Sequence, residues 1–212
     1  MIPLILKLKK AGHKEIAKAQ DLIVEELYKA FDKAILHGGT SIWRCYHGNR
    51  FSEDIDVYIP KDMDKLNALF ESLAKNGFRI LKKKIGDNSM YSNLEFNRTV
   101  VRFEAIFKKT EGILKEYKTA EGNLIIVYTL KPEQLVKEKI DAYLRRYKVR
   151  DLYDLFFLLR YVEDRNSIKK ELKIFINSFK QPYDQKELRV LIIEGLVPDI
   201  NKMLEYIKAQ VH

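Results

Sequence analysis

The sequence predicts an α/β (α+β) protein, with a mixed sheet in its first part and helices alone in its last. Three observations predict it. Helical and strand-like spacings of apolar residues interchange up to about residue 129. From residue 130 onward only helical spacing remains. An alternating segment over 53–59 follows closely on Gly38-Gly39-Thr40, the order of a turn, a short helix and a strand. The expected organisation is an α/β lobe over residues 1–129 and a helical lobe over 130–212, divided by a change of periodicity.

Over residues 13–32, Ile16, Ala19, Ile23, Leu27 and Phe31 recur at helical spacing, with charges on the opposite face. Lys33 to Leu36 reads as a short strand entering the glycine turn, and Thr40 to Tyr46 as a second helix. In 53–59, Ile55, Val57 and Ile59 face one side and Asp54, Asp56 and Tyr58 the other, with Pro60 ending the strand. Residues 61–76 return to helical spacing through Met63, Leu66, Leu69, Phe70 and Leu73, and Asn76-Gly77 stops the helix. Strands are expected over 78–85, 90–96, 99–107 and 124–128, the second and third joined as a hairpin around Asn97-Arg98. Pro132 suits the first turn of a helix reaching about residue 147. Residues 149–162 continue as a densely apolar helix, and helical spacing persists to the end with breaks near Pro182 and Pro198.

Composition bounds the function class. The 212 residues are 46% hydrophobic and 33% charged, a globular balance that excludes wholesale disorder. The apolar run at the start soon turns charged, lacks a small-residue cleavage site, and no stretch reaches spanning length; a cytoplasmic protein is expected. Cys45 is the single cysteine, which excludes an internal disulfide and a thiolate zinc site; a small buried hydrophobe is its expected role. His13, His37, His47 and His212 are scattered without metal-ligand spacing. A net charge of +9 favours phosphate-rich partners.

The chemistry concentrates in two acids and a glycine turn. Asp54 and Asp56 lie one pleat apart on one strand face. Their Cα atoms are then roughly 6.6 Å apart, close enough to converge on divalent cations. A third acid is expected from a neighbouring strand: Glu104 is the first candidate, beside Arg102 and Ile106, and Glu95 the alternative. Gly38 and Gly39 offer backbone N–H groups to phosphates. Either feature alone is common, since an Asp-x-Asp pair also marks a solvated strand face. The 53–59 segment lacks the residues of a calcium-binding EF-hand loop, and no Gly-Lys-Ser/Thr phosphate loop occurs. Together the turn and the acids point to a metal-dependent enzyme acting on a nucleoside triphosphate.

Leu36-His-Gly-Gly-Thr-Ser-Ile-Trp43 followed by Arg50-Phe-Ser-Glu-Asp-Ile-Asp56 resembles the nucleotidyltransferases of the AbiEii/AbiGii toxin family, abortive-infection toxins of type IV toxin–antitoxin systems related to the MenT toxins. His37 stands where that pattern usually has lysine. A second match, Glu138-Lys-Ile-Asp-Ala-Tyr-Leu-Arg-Arg-Tyr-Lys-Val-Arg-Asp-Leu-Tyr-Asp154, carries Lys139, Arg146, Arg150, Asp151 and Asp154 on matching positions.

The resemblance implies a polymerase-beta-like nucleotidyltransferase lobe followed by helices. It implies Mg2+ or Mn2+ held by Asp54, Asp56 and Glu104, and catalysis by these three with Lys139 and Asp151. It implies an NTP contacted by Gly38, Gly39, Thr40, Ser41, Arg50, Ser52, Arg146 and Arg150. The implied acceptor is RNA, the 3′ end of tRNA, and the implied partner an antitoxin. Physically, Lys139 and Arg146 lie two helical turns apart on one face, and Arg150 has the fork to grip a phosphate. The alternative for Asp154 is to buttress an arginine. Arg145 and Lys148 read as surface ion-pair residues, and Tyr143 and Tyr147 as packing between helices. Lys82-Lys-Lys84 reads first as a solvated run. Two rival readings use the same residues: a small-molecule nucleotidyltransferase of the antibiotic-modifying kind, and a non-catalytic nucleotide- or RNA-binding module.

Overall fold

The computed structural model describes residues 3–211; Met1, Ile2 and His212, the last of the scattered histidines, lie outside the described residues. The chain forms two compact units. One runs to His47 and resumes from Phe51 to Thr129; the other takes Gly48–Arg50 together with the chain from Leu130 onward.

In the first unit, a short helix α1 (Leu4–Lys7) precedes α2 (Ala11–Ala30), β1 (Ile35–His37), α3 (Gly38–Cys45), β2 (Ile55–Ile59) and α4 (Met63–Lys75). Five strands follow: β3 (Arg79–Ile85), β4 (Ser89–Phe96), β5 (Thr99–Phe107), β6 (Ile113–Lys118) and β7 (Leu124–Thr129). They form a seven-stranded sheet in the order β3-β4-β5-β2-β1-β7-β6. The sheet is mixed: β2 runs parallel to β5 and β1 parallel to β7, while the other neighbours are antiparallel.

Local chemistry explains these elements. Ile16, Ile23, Val24 and Leu27 make the buried stripe of α2, which packs on α4 and on β4 and β5. Asp62 caps α4 by accepting a bond from the Lys65 N–H at 3.1 Å, and Gly77, at φ +90°, turns the chain out of it. Asn97 and Arg98 both adopt left-handed backbone, the two-residue turn that joins β4 to β5 with Phe96 opposite Thr99. On β2, β4 and β5 one face is buried through Ile55, Val57, Met90, Leu94, Val101, Phe103 and Ala105. The other face carries Asp56, Tyr91, Asn93, Arg102 and Glu104, none of them fully buried.

Three elements of this unit differ from expectation. Strand β6 is additional; Ile-Leu-Lys-Glu-Tyr-Lys lacks strict alternation, and its strand state comes from pairing with β7. The second helix begins at Gly38 itself, so the glycine pair is the first turn of α3. Strand β2 starts only at Ile55, because Ser52 to Asp54 are tied to α2 instead of to a neighbouring strand.

The second unit contains α5 (Pro132–Arg146), α6 (Val149–Leu158), α7 (Lys169–Ser178), the single-turn α8 (Leu188–Leu191) and α9 (Ile200–Ala209). Pro132 occupies the first turn of α5, where a missing N–H costs nothing. Tyr147, in left-handed backbone, ends α5 and lets α6 pack back on it. Leu135, Ile140, Leu152, Leu155, Phe175, Met203 and Ile207 form the core. Tyr143 is buried there among Tyr147, Phe175 and Phe179. Helix α6 stops at Leu158, short of the expected residue 162. The segment before α9 is partly extended: Ile193 N–H donates to Asn49 C=O at 2.8 Å, and Ile192 bridges Arg50.

Candidate active site

In the first unit the acids gather where β1 ends. His37 lies opposite Asp56, and Asp56 lies opposite Glu104 across the parallel β2–β5 pair. Glu104, not Glu95, is therefore the neighbour of Asp56. Glu95 sits farther along β4, bonded to Arg79 at 2.5 Å. Gly38 follows His37 at φ +68°, and a Cβ placed there would collide with the Asp56 carboxylate. The absent side chain thus lets Asp56 lie against the first turn of α3. That turn presents N–H groups that have no acceptor within the helix.

Segment 52–54 is fixed from two sides. Gln20, buried on α2, donates to the Ser52 carbonyl at 2.9 Å and to the Asp54 carbonyl at 3.4 Å. The Thr40 hydroxyl donates to the Asp54 carbonyl. Ser41 shares a 2.5 Å hydrogen bond with Thr129, which donates to the Leu36 carbonyl at 2.9 Å. Thr40, Ser41 and Ser52 are all buried, and these bonds align the backbone of the turn and the acidic loop. Gln20 escapes recognition as a site residue, although a polar residue within the apolar stripe of α2 is the signal for it.

Arg102 links the acids. Its guanidinium donates to Asp54 and lies 3.1 Å from Glu104. Burial opposes its charge, but Asp54 and Glu104 outweigh that and raise its pKa. The Glu104 carboxyl is also raised, by partial burial first and by Asp56 and Asp54 next, with Arg102 opposing. His37 stacks on Tyr58 with ring centroids 4.0 Å apart.

Among the described residues no three His, Cys, Asp or Glu side chains stand ready as a metal cage. The donor set nevertheless fits a hard divalent cation. Three carboxylates crowd one region, Asp56 and Asp54 help to raise the Glu104 pKa, and a tethered guanidinium now supplies the positive charge the cluster requires.

Of the predicted residues in the second unit, Arg50, Lys139, Arg146 and Asp151 share one network with Asp154. Arg50 grips Asp154 through two bonds of 2.7 and 2.8 Å. Lys139 lies 2.8 Å from Asp154 and 3.6 Å from Asp151. Arg146 grips Asp151 at 2.7 and 2.8 Å. Asp151 and Asp154 are essentially inaccessible. Burial pushes the Asp154 carboxyl up, but Arg50 and Lys139 outweigh it and hold it below the usual carboxylate range. Asp154 thus buttresses an arginine, and that arginine is Arg50 of the first motif. Arg150 is partly exposed and, among the described residues, makes none of these ion pairs. Lys148 pairs with Asp184 at 3.3 Å, and Arg145 bonds the Asp141 carbonyl at 3.2 Å. Cys45 is buried, and its thiol pKa is pushed up to about 12.

A family model for the nucleotidyl transferase AbiEii toxin of type IV toxin–antitoxin systems matches residues 22–205. Among solved structures, the chain is similar to MenT4, a nucleotidyltransferase toxin from Mycobacterium tuberculosis. The two are 18% identical over 98% of this chain and 86% of that one, with a TM-score of 0.68. JHP933 from Helicobacter pylori is 18% identical over 92% of this chain and 90% of its own, with a TM-score of 0.61. At these identities the likeness is one of fold. No curated protein matches the chain significantly in sequence. No helix among the described residues is long and apolar enough to cross a membrane.

Proposed function

Since the chain belongs to the AbiEii family of nucleotidyltransferase toxins, we propose that it transfers a nucleoside monophosphate from an NTP to the 3′ end of RNA, with tRNA as the acceptor. One observation carries the reading: Asp56 and Glu104 are register partners on neighbouring strands, with the Gly38 bend against Asp56 and Arg102 joining Glu104 to Asp54.

In the proposed reaction an acceptor hydroxyl oxygen gives up its proton to solvent and attacks the α-phosphorus, the bond from that phosphorus to the oxygen it shares with the β-phosphate breaks, and pyrophosphate leaves with the electron pair. Asp54, Asp56 and Glu104 are the residues that would hold Mg2+ or Mn2+, which supplies charge neutralisation and a lowered pKa for the attacking hydroxyl. The first turn of α3, Gly38 to Ser41, receives the outer phosphates on backbone N–H groups. Thr40 and Gln20 hold that turn and the acidic loop in register, and Ser52 enters as a nucleotide-binding residue on the motif it shares with the family. Lys139 and Asp151 enter as catalytic residues, and Arg50, Arg146 and Arg150 as nucleotide-binding residues, on the motif they share with the family. In this proposal residues 1–129 form the transferase lobe and residues 130–212 the helical lobe. The protein acts in the cytoplasm, where NTPs and tRNA are present, and is neutralised by an antitoxin.

The test is incubation with Mg2+, each α-labelled NTP in turn, and total RNA. We expect label in small RNA, and its loss in Asp56→Ala without loss of fold. Transfer that persists in Asp56→Ala refutes the site. Label in a small molecule with none in RNA refutes the acceptor. Expression of the wild type, but not of the variant, should arrest growth.

A further inference from the structure

One row of side chains crosses the open sheet face from the acids to its edge. Asp56 lies opposite Glu104, Glu104 opposite Tyr91, and Tyr91 opposite Lys84. The next row runs from Arg102 to Asn93 to Lys82. Tyr91 is partly exposed; its hydroxyl donates to Asn93 at 2.7 Å, and the Lys82 ammonium stands 5.3 Å from the ring centre. The backbone beneath is anchored, since Met90, Ser92 and Leu94 on the other side of β4 are buried. β3 is the edge strand, and Arg79, Lys82, Lys83 and Lys84 on it are all exposed. Lysines on an edge deter strand pairing. That role requires neither an aromatic ring beside them nor alignment with the acids.

We propose that this face is the track of the acceptor: a single-stranded RNA 3′ end lies across it, with a base on Tyr91 and phosphates on Lys82 and Lys84. The geometry suits such a strand. β3 is two strand spacings from Glu104, about 10 Å, a reach the last nucleotides of a strand cover. Tyr91 supplies a flat face of the kind bases stack on, and the lysines supply charge along the backbone path. The inference rests on the acid cluster being the transfer site, because it orients the strand with its terminal hydroxyl toward Glu104.

The experiment uses the full chain and a short 5′-fluorescein single-stranded RNA, read by fluorescence anisotropy over a range of salt. Tyr91→Ala should weaken binding about ten-fold, and Tyr91→Phe should restore it. Lys82→Gln with Lys84→Gln should make the slope of log affinity against log salt shallower by about 1.4, about 0.7 per lysine. Lys169→Gln with Lys170→Gln, two exposed cations of the second unit, should change neither quantity. Wild-type binding by both Tyr91→Ala and the Lys82/Lys84 pair overturns the track, as does an equal loss in the Lys169/Lys170 control. The Lys82/Lys84 pair is exposed and keeps the test decisive if Tyr91→Ala misfolds. The two readings fail separately. Transfer surviving in Asp56→Ala sinks the acid cluster, while a loss at Tyr91 would still put RNA on this face. Transfer abolished in Asp56→Ala with unchanged RNA binding in the track variants sinks the track alone.

Discussion

Arg102 holds two of the three clustered acids, and its replacement separates stability from metal affinity. Arg102→Gln leaves Asp54, Asp56 and Glu104 without their tethered cation. We expect a lower melting temperature in EDTA and a larger rise on adding Mn2+ than in the wild type, both read by thermal denaturation. Glu104 gives the opposite sign. Its carboxyl is raised above 4.5, so the folded state keeps a proton that the unfolded chain releases. Stability then falls as pH rises through that window. Glu104→Gln removes the penalty, so the metal-free protein should melt higher at neutral pH while transfer is lost. At this scale Asp56 and Glu104 are legible in the sequence, because alternation on β2 and β5 puts them on one face, whereas Asp54 lies just before β2. The bond from Arg102 to Asp54 joins β5 to the residue just before β2, far apart in sequence, and only the pairing of β2 with β5 brings them together.

The glycine bend is an element-scale device: β1, α3 and β2 meet there because one residue lacks a side chain. Gly38→Ala requires a left-handed alanine, costing about 1–3 kcal/mol, and drives a methyl group into Asp56. Activity should fall by more than the destabilisation predicts, as kcat measured well below the melting temperature will show. Helices α2, α4, α5 and α6 and the β4–β5 hairpin follow from apolar periodicity and turn residues, so the chain announces them locally. β6 does not announce itself, since its charged residues suit a helix as well and its partner β7 decides its state. The start of α3 is displaced for a related reason: Gly-Gly reads as a turn, and only the bonding around Thr40 and Asp54 shows it opening a helix.

At the scale of the whole molecule, the Arg50–Asp154–Lys139 cluster ties the family's two sequence motifs together. Asp154→Asn leaves Arg50 and Lys139 with a neutral partner, and the expected loss is about 3–5 kcal/mol in urea unfolding at neutral pH. The pH dependence carries the same signature. Asp154 is held below 3.8, so its stabilisation is present above that value and lost as pH falls through the depressed one. The variant should therefore show a flatter acid limb. A change of periodicity after residue 129 is plain in the sequence, but the membership of Gly48–Arg50 in the second unit is not, because three residues carry no periodic signal. That excursion sets an order of events at the ribosome. Arg50 emerges 104 residues ahead of the carboxylate that will neutralise it. At about 5–20 residues per second, the nascent guanidinium waits about 5–20 seconds in water, and the helical unit stays incomplete until its later-made part arrives to claim a segment synthesised long before.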